Sequence, residues 1–167
     1  LSENGVLIIA IENRYGIKYF ASSREDHTNI MFDGVEGYSN FPKKVQTFGI
    51  EELSQSLSEY FTHNDVLIPL PDYKFPKAVL HEKMLSKVNA QGIFSNFVAS
   101  DYLTYAPPLF NEKLAYKYLN KNKLLLTFSN SFMFISSKNK IQCFDENWLG
   151  SVYKTNRSRD NSSVSNF

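Results

Sequence analysis

Two apolar stretches, each running into a tight polar turn and out again, constrain this chain more than any other feature. Near the start, Val6-Leu7-Ile8-Ile9-Ala10-Ile11 leads through Glu12 into Asn13-Arg14-Tyr15-Gly16 and out through Ile17 to Ser23. Near the end, Lys123-Leu124-Leu125-Leu126-Thr127-Phe128 turns at Ser129-Asn130-Ser131 into Phe132 to Ser137, with Ile141-Gln142-Cys143-Phe144 beyond. Runs rich in β-branched and aromatic residues on either side of a Gly, Asn or Ser turn predict β-hairpins. A turn that grips phosphate needs glycines so that backbone N–H groups can approach it. Here Arg14 and Tyr15 fill the first turn with bulk and charge, and neither G-x-x-x-x-G-K-[ST] nor G-x-G-x-x-G occurs, so nucleotide hydrolysis is not expected.

Between these segments the pattern alternates. His27 to Phe32 predicts a third strand, stopped by Asp33-Gly34. Ile50, Leu53, Leu57 and Phe61 fall on one helical face, with Glu51 and Glu52 in the favourable first turn. Val66 to Leu70 predicts a short strand, and Pro69 implies that it lies near an edge or ends early. Lys77 to Asn89 reads as a helix, although Val79 and Leu80 also suit a strand, and Gly92 to Ala99 reads as a fifth strand. Asn111 can cap a helix with Leu114, Ala115, Tyr118 and Leu119 on its inner face, and Glu146 to Tyr153 could add a short helix. The Ser/Asn-rich end with Lys154, Arg157 and Arg159 reads as a solvated linker.

The expected fold is therefore α/β: a ribonuclease-H-like or actin-like unit (βββαβαβα) over 1–122, a partial second-lobe β-hairpin over 123–153, and a flexible linker over 154–167. At 167 residues, one medium domain or a domain plus part of another fits. Lys+Arg of 18 against Asp+Glu of 17 gives a net charge of +1, so no overall field favours nucleic acid or anionic lipid. The single Cys143 excludes an internal disulfide and a multi-thiolate metal site, in keeping with a reducing compartment. The longest apolar stretch is far short of the roughly 20 residues that cross a bilayer, and no signal peptide is legible from Leu1 onward.

A ribonuclease-H-like nuclease gathers carboxylates from strand ends and the first helix to hold two metal ions. Glu12, Glu52 or Glu59, and Asp72 are placed for this, with Glu112 as the only further acid near the last helix. His81-Glu82 starts like a zinc-protease motif, but Leu85 stands where the second ligand belongs. His63 with Asp65 reads as a helix-end pair, His27 with Asp26 as a loop ion pair, and Cys143 as a small buried hydrophobe in a strand. No G-x-S-x-G elbow is present. Phe41-Pro42-Lys43 and Phe75-Pro76-Lys77 place cations beside aromatics, as single-strand binders do, on a chain with too little net charge to favour nucleic acid.

The segment Val66-Leu67-Ile68-Pro69-Leu70-Pro71-Asp72 followed by Lys74 to Leu80, with Val6 to Ile11, Gly16 to Phe20 and Leu124 to Phe144, resembles the actin-like pilus-biogenesis proteins of the PilM type and the cytoplasmic part of type II secretion L proteins. The resemblance extends in element order to Tyr153. It implies a non-enzymatic scaffold on the cytoplasmic side of the bacterial inner membrane that docks a hexameric pilus assembly ATPase to platform proteins. It also implies a transmembrane helix after the linker, and no cofactor, catalytic residue, metal or nucleic acid. A docking surface draws its energy from aromatic anchors, for which Tyr38, Phe41, Tyr73, Phe75, Tyr102, Tyr105 and Phe110 are the candidates.

Overall fold

The computed structural model describes residues 2–40, 45–87, 90–97, 107–154 and 163–166. Among the described residues six strands form one sheet: β1 (Val6–Glu12), β2 (His63–Leu70), β3 (Ala78–His81), β4 (Ser131–Ser137), β5 (Gly150–Lys154) and β6 (Ser163–Asn166). Their order is β1-β4-β2-β3-β5-β6, and every neighbouring pair is antiparallel. The helices among the described residues are α1 (Ile17–Phe20), α2 (Ile50–Ser58), α3 (Met84–Lys87), α4 (Gln91–Asn96) and α5 (Glu112–Lys121). None of the helices is long and apolar enough to cross a membrane among the described residues.

Period-two alternation sets which face is buried. Ile9 and Ile11 of β1 stand opposite Phe134 and Phe132 of β4, and Phe134 stands opposite Val66 of β2. This stripe packs on Ile50, Leu53 and Leu57 of α2. Two residues further along β2, Ile68 and Leu70 continue the same face into a second cluster with Leu80, Phe94 of α4 and Tyr116 of α5. Leu126 touches both clusters, so the helices share one face of the sheet. On the other face Ile8 is 61% exposed. There the loop after β4 brings Phe144 and Trp148, stacked at 4.4 Å, edge-on to His81.

The mixed α/β class is present, and β1, α2, β2, β4 and the Asn111-capped α5 lie where the pattern puts them. The hairpins do not form. Ile17–Phe20 is a helical turn instead of a return strand, because β1 pairs with β4, whose Phe132 and Phe134 are fully buried. A local arm with Lys18 between its apolar residues offers far less apolar burial. His27 to Phe32 is a series of turns: Asn29 and Phe32 adopt φ of 58° and 63°, which no strand accommodates. Lys123 to Phe128 and Ile141 to Phe144 form no strand, and Lys123 turns at φ 59°.

Lys77 to Asn89 divides into β3 and the short α3, so the helical reading holds only for its second half, with 88–89 outside the described residues. Gly92 to Asn96 is helical, as Phe94 turns inward to meet Tyr116 at 5.4 Å, while 98–99 lie outside the described residues. Glu146 to Tyr153 is not a helix, since its end forms β5, and Ser163–Asn166 of the expected linker pairs with β5 as β6. Pro69 lies in a central strand, but beyond Leu67, where pairing with β4 stops, so its missing N–H costs no bond on that side. Strands from 1–122 and 123–153 share one sheet, with β4 between β1 and β2. An antiparallel sheet drawing one strand from the first 60 residues does not match the actin-like order well.

Candidate functional site

β1 and β2 both run antiparallel to β4, so they end on the same edge of the sheet, where β4 begins. The turns Asn13–Gly16 and Ser129–Ser131, expected in separate lobes, sit against each other on this edge. Asn13 Nδ2 donates to Thr127 O and Ser129 O, both at 2.7 Å, and Asn130 Nδ2 donates to Pro71 O at 3.2 Å. The Asn13 N–H donates to Asn130 O, Tyr15 N–H to Asn13 Oδ1, Ile17 N–H to Phe128 O and Lys18 N–H to Asn130 Oδ1, each at 3.0 Å. The donors that would line a phosphate cradle are thus committed within the protein. A Cβ on Gly16 would lie 3.0 Å from Asn130 Cα, which explains a glycine there.

Beside the turns lies a buried set of charges. Glu12, 2% exposed, accepts from Lys18 Nζ at 3.1 Å and from Lys74 Nζ at 2.8 Å. Asp26 accepts from Lys18 Nζ at 3.0 Å and from the Tyr19 hydroxyl at 3.2 Å, and lies 3.5 Å from Lys74 Nζ. Burial pushes the Glu12 carboxyl up, aided by its hydrogen bond with Asp26 and opposed by Lys18 and Lys74. Burial also acts to raise Asp26, but the hydrogen bond from Glu12 and the charge of Lys18 hold it far below the usual carboxylate range. Lys74 is raised against burial by Glu12. Together Glu12, Asp26, Lys18 and Lys74 tie the loops to the strand ends.

Glu12 and Asp72 reach this edge, and Glu59 does not. Asp72 follows the cis Leu70–Pro71 bond, and its Oδ1 accepts from Lys74 N–H at 2.8 Å and Phe75 N–H at 3.2 Å. Glu59 caps α2 ahead of β2, about 25 Å of strand away. Glu52 closes the start of α2 instead, accepting from Gly49 N–H at 2.7 Å. Among the described residues no group of three or more His, Cys, Asp and Glu is placed to hold a metal.

Of the concavities elsewhere, two bear on the expected site residues. A cleft of about 590 Å3 on the open face is lined by His63, Asp65, His81, Lys83, Phe144 and Trp148. His81 Nε2 lies 3.6 Å from Asp65, and its Nδ1 accepts from Lys83 N–H at 3.2 Å, so both ring nitrogens face partners. Burial pulls the His81 imidazole down, and Lys83 adds to this against the pull of Asp65. Asp65 thus pairs with His81 and not with its sequence neighbour His63. Asp26 pairs with lysines, while the His27 N–H donates to Glu25. Cys143 is exposed and outside any strand, contrary to the buried-hydrophobe expectation.

The second concavity, about 300 Å3, is apolar and lined by Ile17, Phe20, Phe110, Tyr118, Leu124 and Phe128. It runs along α5, whose expected inner face divides: Ala115 and Leu119 pack against the core beside the buried Tyr116, while Leu114 and Tyr118 are 60% and 59% exposed. Lys113, Lys117 and Lys121 stand exposed along the same helix, and Lys117 and Lys121 lie 5.9 and 5.5 Å from the Tyr118 ring. The one acid of α5, Glu112, is buried, and burial pushes its carboxyl up to about 7.

Of the aromatic anchors read from the sequence, Phe110 lines this groove and Phe75 is 66% exposed near Asp72. Tyr73 is half-buried beside Lys74. Tyr38 is unavailable to a partner: it is fully buried, its hydroxyl bonded to Glu25 and Thr47. Phe41, Tyr102 and Tyr105 lie outside the described residues. Leu114, Tyr118 and the lysine stripe were missed as a surface because an apolar helical face reads as core. No protein-family model, curated protein or solved structure matches the chain.

Proposed function

We propose that this chain is a non-enzymatic docking module that binds a partner protein through the outward apolar face of α5. The observation that carries this reading is the exposure of Leu114 and Tyr118 beside an apolar groove. Fully burying such a side chain contributes roughly 1.5–3 kcal/mol, and aromatic anchors in apolar grooves dominate interface energetics. The lysines at 113, 117 and 121 form no ion pair among the described residues. Their charge complements an amphipathic helix with acidic flanks, laid into the groove.

The narrower reading is a cytoplasmic scaffold of a type IV pilus system of the bundle-forming kind, docking the hexameric assembly ATPase to the inner-membrane platform. Its support is the sequence resemblance over Val6 to Tyr153, and the antiparallel sheet weighs against its actin-like component. The test is titration of the purified chain with the assembly ATPase of its own system, alongside Mg2+-dependent nuclease assays. The expected result is saturable binding, weakened at least tenfold by Leu114→Asp with Tyr118→Ser. Cleavage of nucleic acid without any ATPase binding would overturn it.

A further inference from the structure

Glu112 opens α5 and is the only acid on that helix, yet it is 8% exposed. Its Oε2 meets no hydrogen-bond partner among the described residues. A carboxylate buried without a donor or a cation is costly, so the site favours the neutral acid. The groups packed around it leave that preference unopposed. Lys113, next in the chain, is exposed, and Tyr116, one turn on, is buried with its hydroxyl pushed up by burial. α4, which meets α5 through Phe94 and Tyr116, has no titratable side chain. Leu109 N–H donates to Ala21 O, but of the cations near Ala21, Lys18 is held by Glu12 and Asp26, and Arg24 donates to Asn29 O at 3.1 Å. Burial is what moves the Glu112 carboxyl, up to about 7. This buried acid borders the docking face. Phe110 lines both the apolar groove and a cavity of about 660 Å3 shared with Pro108, Asn111, Glu112 and Lys113.

We infer that Glu112 makes docking at the α5 face proton-linked: neutral, it leaves the face wholly basic, and ionised, it sets a negative charge at the head of the lysine stripe. This rests on the docking reading above and adds its regulation. While Glu112 keeps its proton, Lys113, Lys117 and Lys121 are the only charges of α5, with Leu114 and Tyr118 between them. An acid-flanked partner helix then meets cations alone. Once Glu112 is ionised, its charge offsets Lys113 and repels the partner's acids, and the buried carboxylate is driven toward the cavity that Phe110 also lines. The sign follows from linkage. An acidic partner beside Glu112 raises the carboxyl's hold on its proton, so complex formation takes up protons, and affinity falls as pH rises through 7.

Calorimetric titration of the whole chain with the assembly ATPase of its own system, at pH 6 and at pH 8, tests this. The dissociation constant should rise about three- to tenfold from the lower to the higher pH. Titrations near pH 7 in two buffers of different ionisation enthalpy should show proton uptake on binding. Glu112→Gln keeps the shape of the neutral acid, so it should hold the pH 6 affinity at pH 8 and take up no protons. Should that variant fail to fold, NMR titration of the Glu112 carboxyl carbon in the unaltered chain decides the matter: its midpoint should move up when the ATPase is bound. Equal affinity at both pH values, the same pH slope in Glu112→Gln, or an unmoved midpoint would overturn the inference and leave docking standing. An absence of binding at either pH would overturn both.

Discussion

Asn13 and Asn130 carry more of this structure than their small side chains suggest. Each sits in a turn, is buried, and bonds to main-chain groups across the junction of β1 and β4. Asn13→Ala leaves Thr127 O and Ser129 O without that donor, and about 2–3 kcal/mol of stability should be lost in urea unfolding. Lys18→Met leaves Glu12 and Asp26 sharing only Lys74, and about 3–5 kcal/mol should be lost. Glu112 titrates in the opposite sense to a salt-bridged acid. Its carboxyl is raised in the folded state from 4.5 to about 7, so its contribution is full below 4.5 and lost as pH rises through 7. Glu112→Gln should therefore flatten the fall in stability between pH 5 and pH 8, by about 1–2 kcal/mol, in a series of thermal melts. The acids Glu12 and Asp72 were legible in sequence as strand-end residues. Their partners were not, because Asp26 and Lys74 reach Glu12 only through loops. The clue that was present is Lys18, a cation set between buried Ile17 and Tyr19.

Elements whose signals are local were legible, and those that depend on distant partners were not. The start of α2 is written in Gly49 to Glu52, and the start of α5 in Asn111, whose side chain accepts from Leu114 N–H at 3.2 Å. The β1–β4 ladder joins residues as far apart as Val6 and Ser137, and no local pattern ranks that pairing above a hairpin with Ile17 to Ser23. The apolar face of α5 was legible as a face, and its Ala115 and Leu119 do pack on the core, but Leu114 and Tyr118 stand outward, since periodicity says which residues lie together and not what covers them. At the junction of the two turns, Gly16→Ala forces a Cβ to 3.1 Å from Asn13 O and 3.0 Å from Asn130 Cα. Neither neighbour is a flexible side chain, so a loss of about 1–3 kcal/mol is expected by thermal denaturation. If Gly16→Ala melts with the unaltered chain, the close approach of the two turns is wrong.

For the molecule as a whole, the helices lie on one face of an antiparallel sheet, the charges at the strand ends are satisfied internally, and an apolar helix face flanked by lysines points outward. The proposed docking through that face would act by burial and charge complementarity. The most direct measurement is amide chemical-shift mapping of the isotopically labelled chain as the assembly ATPase is added. The account predicts shifts concentrated between Leu109 and Leu124, with Lys113, Lys117 and Lys121 among them. Shifts centred instead on Glu12, Lys18 and Lys74, or none at saturating ATPase, would contradict it.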